Sequence, residues 1–230
     1  MKKALEVAAL LLPLLVGCAS RQNFMEKVML LEANHSVVVK IDADARNAET
    51  SRMIDRIEAQ LAVCPEYFKS NIGTICISAS GFAPLVIGYV NPDEAGWPIH
   101  LKSRSLIEKI LVWSDDKNTF LHEASHSFEM RMGETRYEQW LQFYNEFAGG
   151  KNEKVNISAM LAQIVVPFAG SIKPKGYASL YACTNHFEDF AETHCFLRRN
   201  DIEKLKSKDI VLYNKCKAVE RLTNGDFAFD

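Results

Sequence analysis

The chain has no apolar run beyond its N-terminal end that approaches the roughly 18 residues needed to cross a bilayer. It also has no surplus of one charge, because 27 basic and 29 acidic side chains leave a net charge of −2 over 230 residues. A nucleic-acid-binding protein usually carries a basic surplus, so the sequence predicts no nucleic-acid partner. Internal repeats, low-complexity tracts and a domain linker are all missing. These absences favour one globular domain that reaches a membrane only through its N-terminus.

The N-terminal segment has the pattern of a bacterial export signal. Lys2 and Lys3 precede an apolar run at residues 7–16, a length that suits a signal peptide and is too short to span a membrane. The run ends in the letters LVGC, with the cysteine at Cys18, and this ending resembles the lipobox of bacterial lipoproteins. An ordinary cleaved signal with an incidental cysteine is the alternative interpretation.

The lipobox resemblance implies a specific division of the N-terminus. Residues 1–17 are then a removed signal peptide, and Cys18 becomes the lipidated first residue, which anchors the protein in a membrane. Residues 18–35 form the lipidated residue and a polar tether, and residues 36–230 form the domain. The protein is therefore expected in the cell envelope, and Ala19 favours the outer membrane of a Gram-negative cell.

Export changes the expectation for the remaining cysteines. An oxidising compartment permits disulfides, but five cysteines leave at least one thiol unpaired within a single chain. Cys64 and Cys76 are close enough in sequence to close a short loop, and Cys216 is a candidate partner for Cys183 or Cys195. The sequence predicts disulfides without fixing the pairing.

The apolar spacing predicts an α+β fold, with a small N-terminal sheet and a mainly helical second half. A run rich in β-branched residues predicts a first strand, and apolar residues at helical spacing predict the helix after it. The predicted strands are residues 35–42, 74–78, 84–90 and a short edge strand at 97–101. The predicted helices are residues 45–63, 106–113, 118–131, 134–148, 157–164, 184–199 and one or two within 201–223.

A metal-binding pattern lies inside the predicted helix at 118–131. His122-Glu123-Ala124-Ser125-His126 places two imidazoles four residues apart, and therefore on one helical face. Two such histidines can bind one zinc ion, and the glutamate after the first histidine can act as a general base toward the attacking water. A coincidental pair of histidines on a soluble helix is the alternative.

A catalytic zinc needs a third protein ligand, and the predicted helix at 184–199 offers one. Glu188 and Glu192 are four residues apart and share a helical face. One of them can bind the metal while the other accepts the outer N–H of a ligand histidine, and spacing alone does not decide which. Tyr181 precedes Glu188 by seven residues and can place a phenol near the metal.

The two motifs together, HEASH and Y-x-x-T-N-x-x-E-x-F-A-E, resemble the zinc peptidase domain of anthrax lethal factor and the secreted Pro-Pro endopeptidases. The resemblance implies a zincin-like fold, one zinc ion and a peptide or protein substrate. It also implies a role for each matching residue. His122, His126 and Glu188 are the expected zinc ligands, Glu123 is the general base, Tyr181 stabilises the oxyanion or donates a proton, and Glu192 supports a ligand histidine.

Two alternatives remain open at this stage. The first is a non-catalytic envelope lipoprotein that uses the same fold to bind a partner. The second is an additional metal site, because His186 and His194 lie near Cys183 and Cys195 in sequence. The favoured reading is a zinc-dependent endopeptidase anchored to the bacterial envelope, because all the catalytic parts are present together.

Overall fold

A computed structural model describes residues 24–46, 48–79, 88–91, 93–102, 118–148, 175–179 and 181–226. The predicted signal peptide, Cys18, and the predicted helices at 106–113 and 157–164 lie outside these ranges. Within them, the protein is α+β and mostly helical, as the sequence predicted. None of the helices in these ranges is both long enough and apolar enough to cross a membrane.

Four short strands form one mixed sheet. They are β1 (Val39–Ile41), β2 (Ile75–Ser78), β3 (Gly88–Val90) and β4 (Ile99–Lys102), in the spatial order β1-β2-β4-β3. β2 pairs in parallel with β1 and with β4, whereas β3 runs antiparallel to β4. Ile75, Ile77, Ile99 and Leu101 alternate toward the buried face of the sheet.

Seven α-helices occur in the described ranges. Residues 24–35 form α1, and two helices, α2 (Ala48–Ala62) and α3 (Glu66–Ser70), follow β1. The second half contains α4 (Thr119–Arg131), α5 (Glu134–Ala148), α6 (His186–Leu197) and α7 (Ile210–Asn224). Two short 3-10 turns, Tyr181–Cys183 and Ile202–Leu205, precede α6 and α7.

The predicted tether at residues 18–35 is wrong from residue 24 onward. Residues 24–35 are helical, and Phe24, Val28 and Leu31 are buried in the main core. These positions recur at i, i+4 and i+7, so they face one side of the helix and pack together. The folded domain therefore includes α1 and does not begin at residue 36.

The predicted edge strand at 97–101 is also corrected. It forms as β4 (Ile99–Lys102), but it lies between β2 and β3, inside the sheet. β3 is the edge strand next to it, and the residues before Gly88 in the predicted strand at 84–90 lie outside the described ranges. The short antiparallel β3 therefore borders the helix that carries the HEASH motif.

An aromatic cluster joins the helices behind that motif. Phe68 of α3 lies 5.1 Å from Phe128 of α4, measured between ring centroids, and Phe128 stacks on Phe190 of α6 at 6.2 Å. Trp140 of α5 meets Phe190 edge-on at 5.2 Å. All four rings are fully buried. Since aromatic residues carry a large share of core burial, this cluster fixes α4 and α6 against each other.

The predicted disulfides do not form in this structure. None of the five described cysteines forms a disulfide with another of them; they are Cys64, Cys76, Cys183, Cys195 and Cys216. The cysteines lie on different elements. The Cys64 thiol donates to the Gln60 carbonyl at the C-terminal end of α2, and Cys76 lies half-buried on β2. Packing of the aromatic cluster and buried polar contacts hold the helical half together instead.

Candidate metal centre

Helix α4 presents its two histidines at the surface of the core because its other side is apolar. Phe120, Leu121, Ala124 and Phe128 are buried, while His122 and His126 are partly accessible. On a third side, the Ser127 hydroxyl donates to the Trp97 carbonyl at 2.8 Å and accepts from the Gly73 amide at 2.7 Å. These contacts fix α4 against the segments that enter β2 and β4.

Three side chains converge on one point between α4 and α6. The Nε2 atoms of His122 and His126 lie 3.1 Å apart, and Oε2 of Glu188 lies 3.0 Å from the first and 3.4 Å from the second. Among the described residues, this is the one group of three possible ligands whose atoms are close enough to share a metal ion. The structure thus brings together the three predicted ligands and selects Glu188 over Glu192.

The donor set fits a zinc ion. In a tetrahedral site with bonds of about 2.0–2.1 Å, neighbouring ligand atoms are separated by about 3.3 Å, close to the three separations observed here. Oε2 of Glu188 is also buried, and although both Nε2 atoms lie within 3.4 Å of it, neither forms a hydrogen bond of good geometry with it. A buried carboxylate oxygen without a hydrogen bond is costly unless a cation satisfies it. Two imidazoles and one carboxylate form a common ligand set of catalytic zinc.

Two residues between Tyr181 and Glu188, Thr184 and Asn185, determine the local backbone structure. The Thr184 hydroxyl donates to the Tyr181 carbonyl at 2.8 Å and closes the 3-10 turn at Tyr181–Cys183. Asn185 then caps α6, since its side chain accepts the Glu188 amide at 2.9 Å. The turn and the cap place Tyr181 and Glu188 beside each other, and the Tyr181 hydroxyl donates to Oε1 of Glu188 at 2.9 Å.

Glu192 contacts His122 from the side opposite the other two candidate ligands. Its Oε1 lies 2.9 Å from Nδ1 of His122, the ring nitrogen that faces away from the other two ligands. Burial alone would raise the pKa of Glu192, but the hydrogen bonds with His122 and the Ser179 hydroxyl outweigh burial and keep the pKa low. Glu192 therefore stays ionised and orients the imidazole through its outer nitrogen.

His122 has a third neighbour that the sequence did not identify. The Cys195 thiol, one helical turn after Glu192, lies within hydrogen-bond reach of His122. Burial would lower the pKa of His122, yet its contacts with Cys195, Glu188 and Glu192 together raise that pKa well above its usual value. A metal ion consequently competes with a proton for this imidazole.

Glu123 lies between the two histidines and the edge strand. A Cβ atom added at Gly88 of β3 would fall 2.8 Å from Cγ of Glu123 and 2.9 Å from Cγ2 of Thr119, so any larger residue there would force these side chains to move. Burial raises the pKa of Glu123, against the opposing effect of His122 and His126. A carboxylate whose pKa is moved toward neutrality is suited to accept and return a proton.

Tyr181 stacks beside the same imidazole. Its ring lies 5.8 Å from the His122 ring, between centroids, at an angle of 27°. Burial, followed by the neighbouring Glu188 carboxylate, raises the pKa of Tyr181. The phenol therefore keeps its proton and remains a hydrogen-bond donor near the ligand cluster, as predicted.

A series of buried hydrogen bonds fixes the position of α4 relative to α6. The Ser125 hydroxyl donates to the Leu121 carbonyl, so Nδ1 of His194 donates to the same hydroxyl at 2.9 Å. Arg198 donates to Nε2 of His194 at 3.0 Å. Burial, followed by Arg198, lowers the pKa of His194 well below its usual range, so the ring is neutral. Both nitrogens of His194 are occupied in this contact, which argues against the second metal site.

His186, the other histidine of that alternative, lies elsewhere. Its Nε2 contacts the Tyr137 hydroxyl at 2.7 Å, and its ring packs on Phe187.

A fully buried ion pair lies next to Glu188 in the chain: Asp189 contacts Lys215 of α7 at 2.6 Å. Burial raises the pKa of Asp189 to about 6, opposed by Lys215. This pair joins the ligand-bearing helix to α7.

Three residues of the site were not predicted from sequence. Gly88 carries no signal beyond being a glycine in a strand, which often marks a close approach. Ser179 contacts Glu192 from outside the motif. The sequence suggests Cys195 only as a possible disulfide partner or as part of a second metal site, although its position three residues after Glu192 places it on the same face of α6.

Comparison with known proteins adds no relative: no family model, curated protein or solved structure matches the chain.

Proposed function

We propose that this protein is a zinc-dependent endopeptidase, anchored to the bacterial envelope through a lipid on Cys18. The observation that carries the proposal is the convergence of His122, His126 and Glu188 with Glu123 and Tyr181 around one point. A metal-binding role alone would not require a buried carboxylate and a neutral phenol beside the ligands. The zincin-like fold suggested by the motif resemblance belongs to this proposal.

The ligands would be His122, His126 and Glu188, with Glu192 orienting His122. When bound, a zinc ion supplies a Lewis acid that polarises the scissile carbonyl and acidifies water. Glu123 takes a proton from the attacking water and transfers it to the leaving nitrogen, which its raised pKa favours. The Tyr181 hydroxyl, which donates to Oε1 of Glu188 in the absence of substrate, redirects this hydrogen bond to the carbonyl oxygen as negative charge develops there.

The sheet offers a way to align a peptide. Among the described strands, β3 has one neighbour, β4, so its other edge has no strand paired with it. Gly88 on this strand lies directly against Glu123. An extended peptide that pairs with β3 would place its backbone beside the general base, as in other cases of strand addition.

Cleavage of a broad peptide library by the zinc-loaded chain tests this proposal, with sites read by mass spectrometry. The control is Glu123→Gln, which preserves the shape of the side chain but removes the base. We expect cuts in the wild type that disappear in the variant, while both proteins hold zinc equally. Equal zinc content without any wild-type cleavage would favour the non-catalytic lipoprotein.

A further inference from the structure

Helix α1 is apolar on both sides. Its inner positions, Phe24, Val28 and Leu31, are buried in the core. On its outer side, Met25, Met29 and Leu30 are 47%, 65% and 51% exposed. Ala33 is exposed on that side as well, and Glu26 is the charged residue among them. We define the outer face of α1 as Met25, Glu26, Met29, Leu30 and Ala33.

The neighbouring helix does not cover this face. Lys27 and Asn34, which flank it, turn toward α2 and bond Asp55 and Glu58 there. The Lys27 ammonium lies 2.6 Å from the Asp55 carboxylate. Polar contacts therefore fix α1 to α2 along its sides, whereas the outer face presents three large apolar side chains to the surroundings. Large apolar side chains that lie exposed together on one face commonly mark an interaction surface.

The short distance along the chain between Cys18 and the outer face suggests what this face contacts. Met25 follows Cys18 by seven residues, which span at most about 25 Å even when fully extended. A lipid on Cys18 therefore holds α1 close to the bilayer surface. Methionine and leucine side chains on one face of a surface helix insert at the boundary between headgroups and acyl chains.

We infer that the outer face of α1 lies in the lipid surface and orients the domain on the membrane. The inference rests on the proposed anchor at Cys18, and it does not depend on peptidase activity.

Tryptophan fluorescence of the full lipidated chain in vesicles of phosphatidylethanolamine and phosphatidylglycerol tests this inference. Met29→Trp places a reporter on the outer face, and Val63→Trp places one at a comparably exposed position, 58% in the parent, at the end of α2. Emission of the parent protein is subtracted, and the vesicles contain lipids brominated near the headgroup. We expect strong quenching and a blue shift for Met29→Trp, and neither effect for Val63→Trp.

Each other outcome overturns the inference and identifies the failed step. Intact mass reports whether Cys18 carries lipid, so an unlipidated and unquenched protein would place the failure at the anchor. A lipidated, vesicle-bound protein in which Met29→Trp stays unquenched, or Val63→Trp is quenched equally, would show that α1 does not face the lipid. A blue shift that appears in detergent and grows with protein concentration would indicate a second copy on this face. Library cleavage is measured separately, so failure of the peptidase proposal is distinguishable from all of these.

Discussion

Nδ1 of His122 lies 2.9 Å from Oε1 of Glu192, although the two residues are seventy positions apart in the chain. The Nε2 atom of the same ring lies 3.0 Å from Oε2 of Glu188. One imidazole is thus held between two carboxylates of α6, of which one can share a metal with it and the other orients it. This arrangement separates the roles of two glutamates that are equivalent by spacing alone.

Glu192→Gln tests the orienting role. The amide keeps the size of the side chain but removes the charge that makes it a strong acceptor for the His122 N–H. We expect zinc affinity to fall roughly 10- to 100-fold, as for other outer partners of ligand histidines. Competition with a chromophoric chelator measures it, and Glu203→Gln, at an exposed position, is the control. Unchanged affinity in Glu192→Gln would remove Glu192 from the site.

Tyr181→Phe tests the phenol. The ring and its stacking on His122 remain, but the donor to Glu188 and to the substrate oxygen is lost. We expect kcat to fall roughly 100-fold or more, with a small change in KM and a zinc affinity within a few-fold of wild type. A variant that keeps its kcat would assign Tyr181 a packing role.

Gly88→Ala tests the close approach of β3 to the general base. The added methyl group would contact Glu123 and Thr119 at less than 3 Å, so the carboxylate must move. We expect up to roughly a 100-fold loss of cleavage, because small displacements of a catalytic group have effects of that size. Zinc binding should persist, since the atoms nearest to the added methyl group belong to Glu123 and Thr119 and not to a predicted ligand.

The matched control for Gly88→Ala is the double variant Gly88→Ala/Thr119→Ser. Serine lacks the Cγ2 methyl group that lies 2.9 Å from the added Cβ atom, so part of the crowding is relieved. Partial recovery of cleavage is the expected result. Equal activity of wild type and Gly88→Ala would contradict the proposed position of Glu123.

Prediction from sequence succeeded where local spacing determines the outcome. The helix predicted at residues 134–148 forms with those bounds as α5, and the helix at 118–131 forms as α4 from Thr119 to Arg131. The histidine pair and the seven-residue spacing from Tyr181 to Glu188 are properties of single helices or turns. Their geometry follows from the 3.6-residue period and from the Asn185 cap.

The features that sequence did not determine depend on contacts between distant elements. The choice between Glu188 and Glu192 depends on how α6 crosses α4, and the place of β4 depends on strand order. The crowding around Gly88 appears only when β3 lies against α4. The helix α1 was missed although Phe24, Val28 and Leu31 are helically spaced, because apolar residues on its outer face obscure the pattern.

Glu129→Gln tests a buried acid near the site. The Glu129 side chain is 1% exposed, and neither carboxylate oxygen has a hydrogen-bond partner among the described residues. Burial, followed by the nearby Glu188 and Asp189 carboxylates, raises its pKa well above 4.5. The folded protein therefore binds a proton that the unfolded chain releases above about pH 4.5, and stability is lost as pH rises.

We expect the free energy of unfolding of Glu129→Gln to fall less than that of wild type as pH rises. One unit of pKa shift corresponds to about 1.4 kcal/mol. Between pH 5 and pH 8, the free energy of unfolding of wild type should therefore fall by at least about 1 kcal/mol more than that of the variant. Urea unfolding at the two pH values measures the difference. Glu138→Gln, at an exposed position on α5, should leave the pH dependence unchanged. If the free energies of unfolding of wild type and Glu129→Gln change equally with pH, Glu129 is ionised in the folded protein.

Zinc K-edge absorption, combined with metal analysis of the purified chain, tests the central claim most directly. The account predicts one zinc per chain, with two imidazole nitrogens and oxygen ligands at about 2.0–2.1 Å. Glu188→Ala should lose most of this zinc, whereas Glu203→Gln should keep it. A sulfur ligand at about 2.3 Å, which would place Cys195 on the metal, or full zinc retention by Glu188→Ala, would contradict the account.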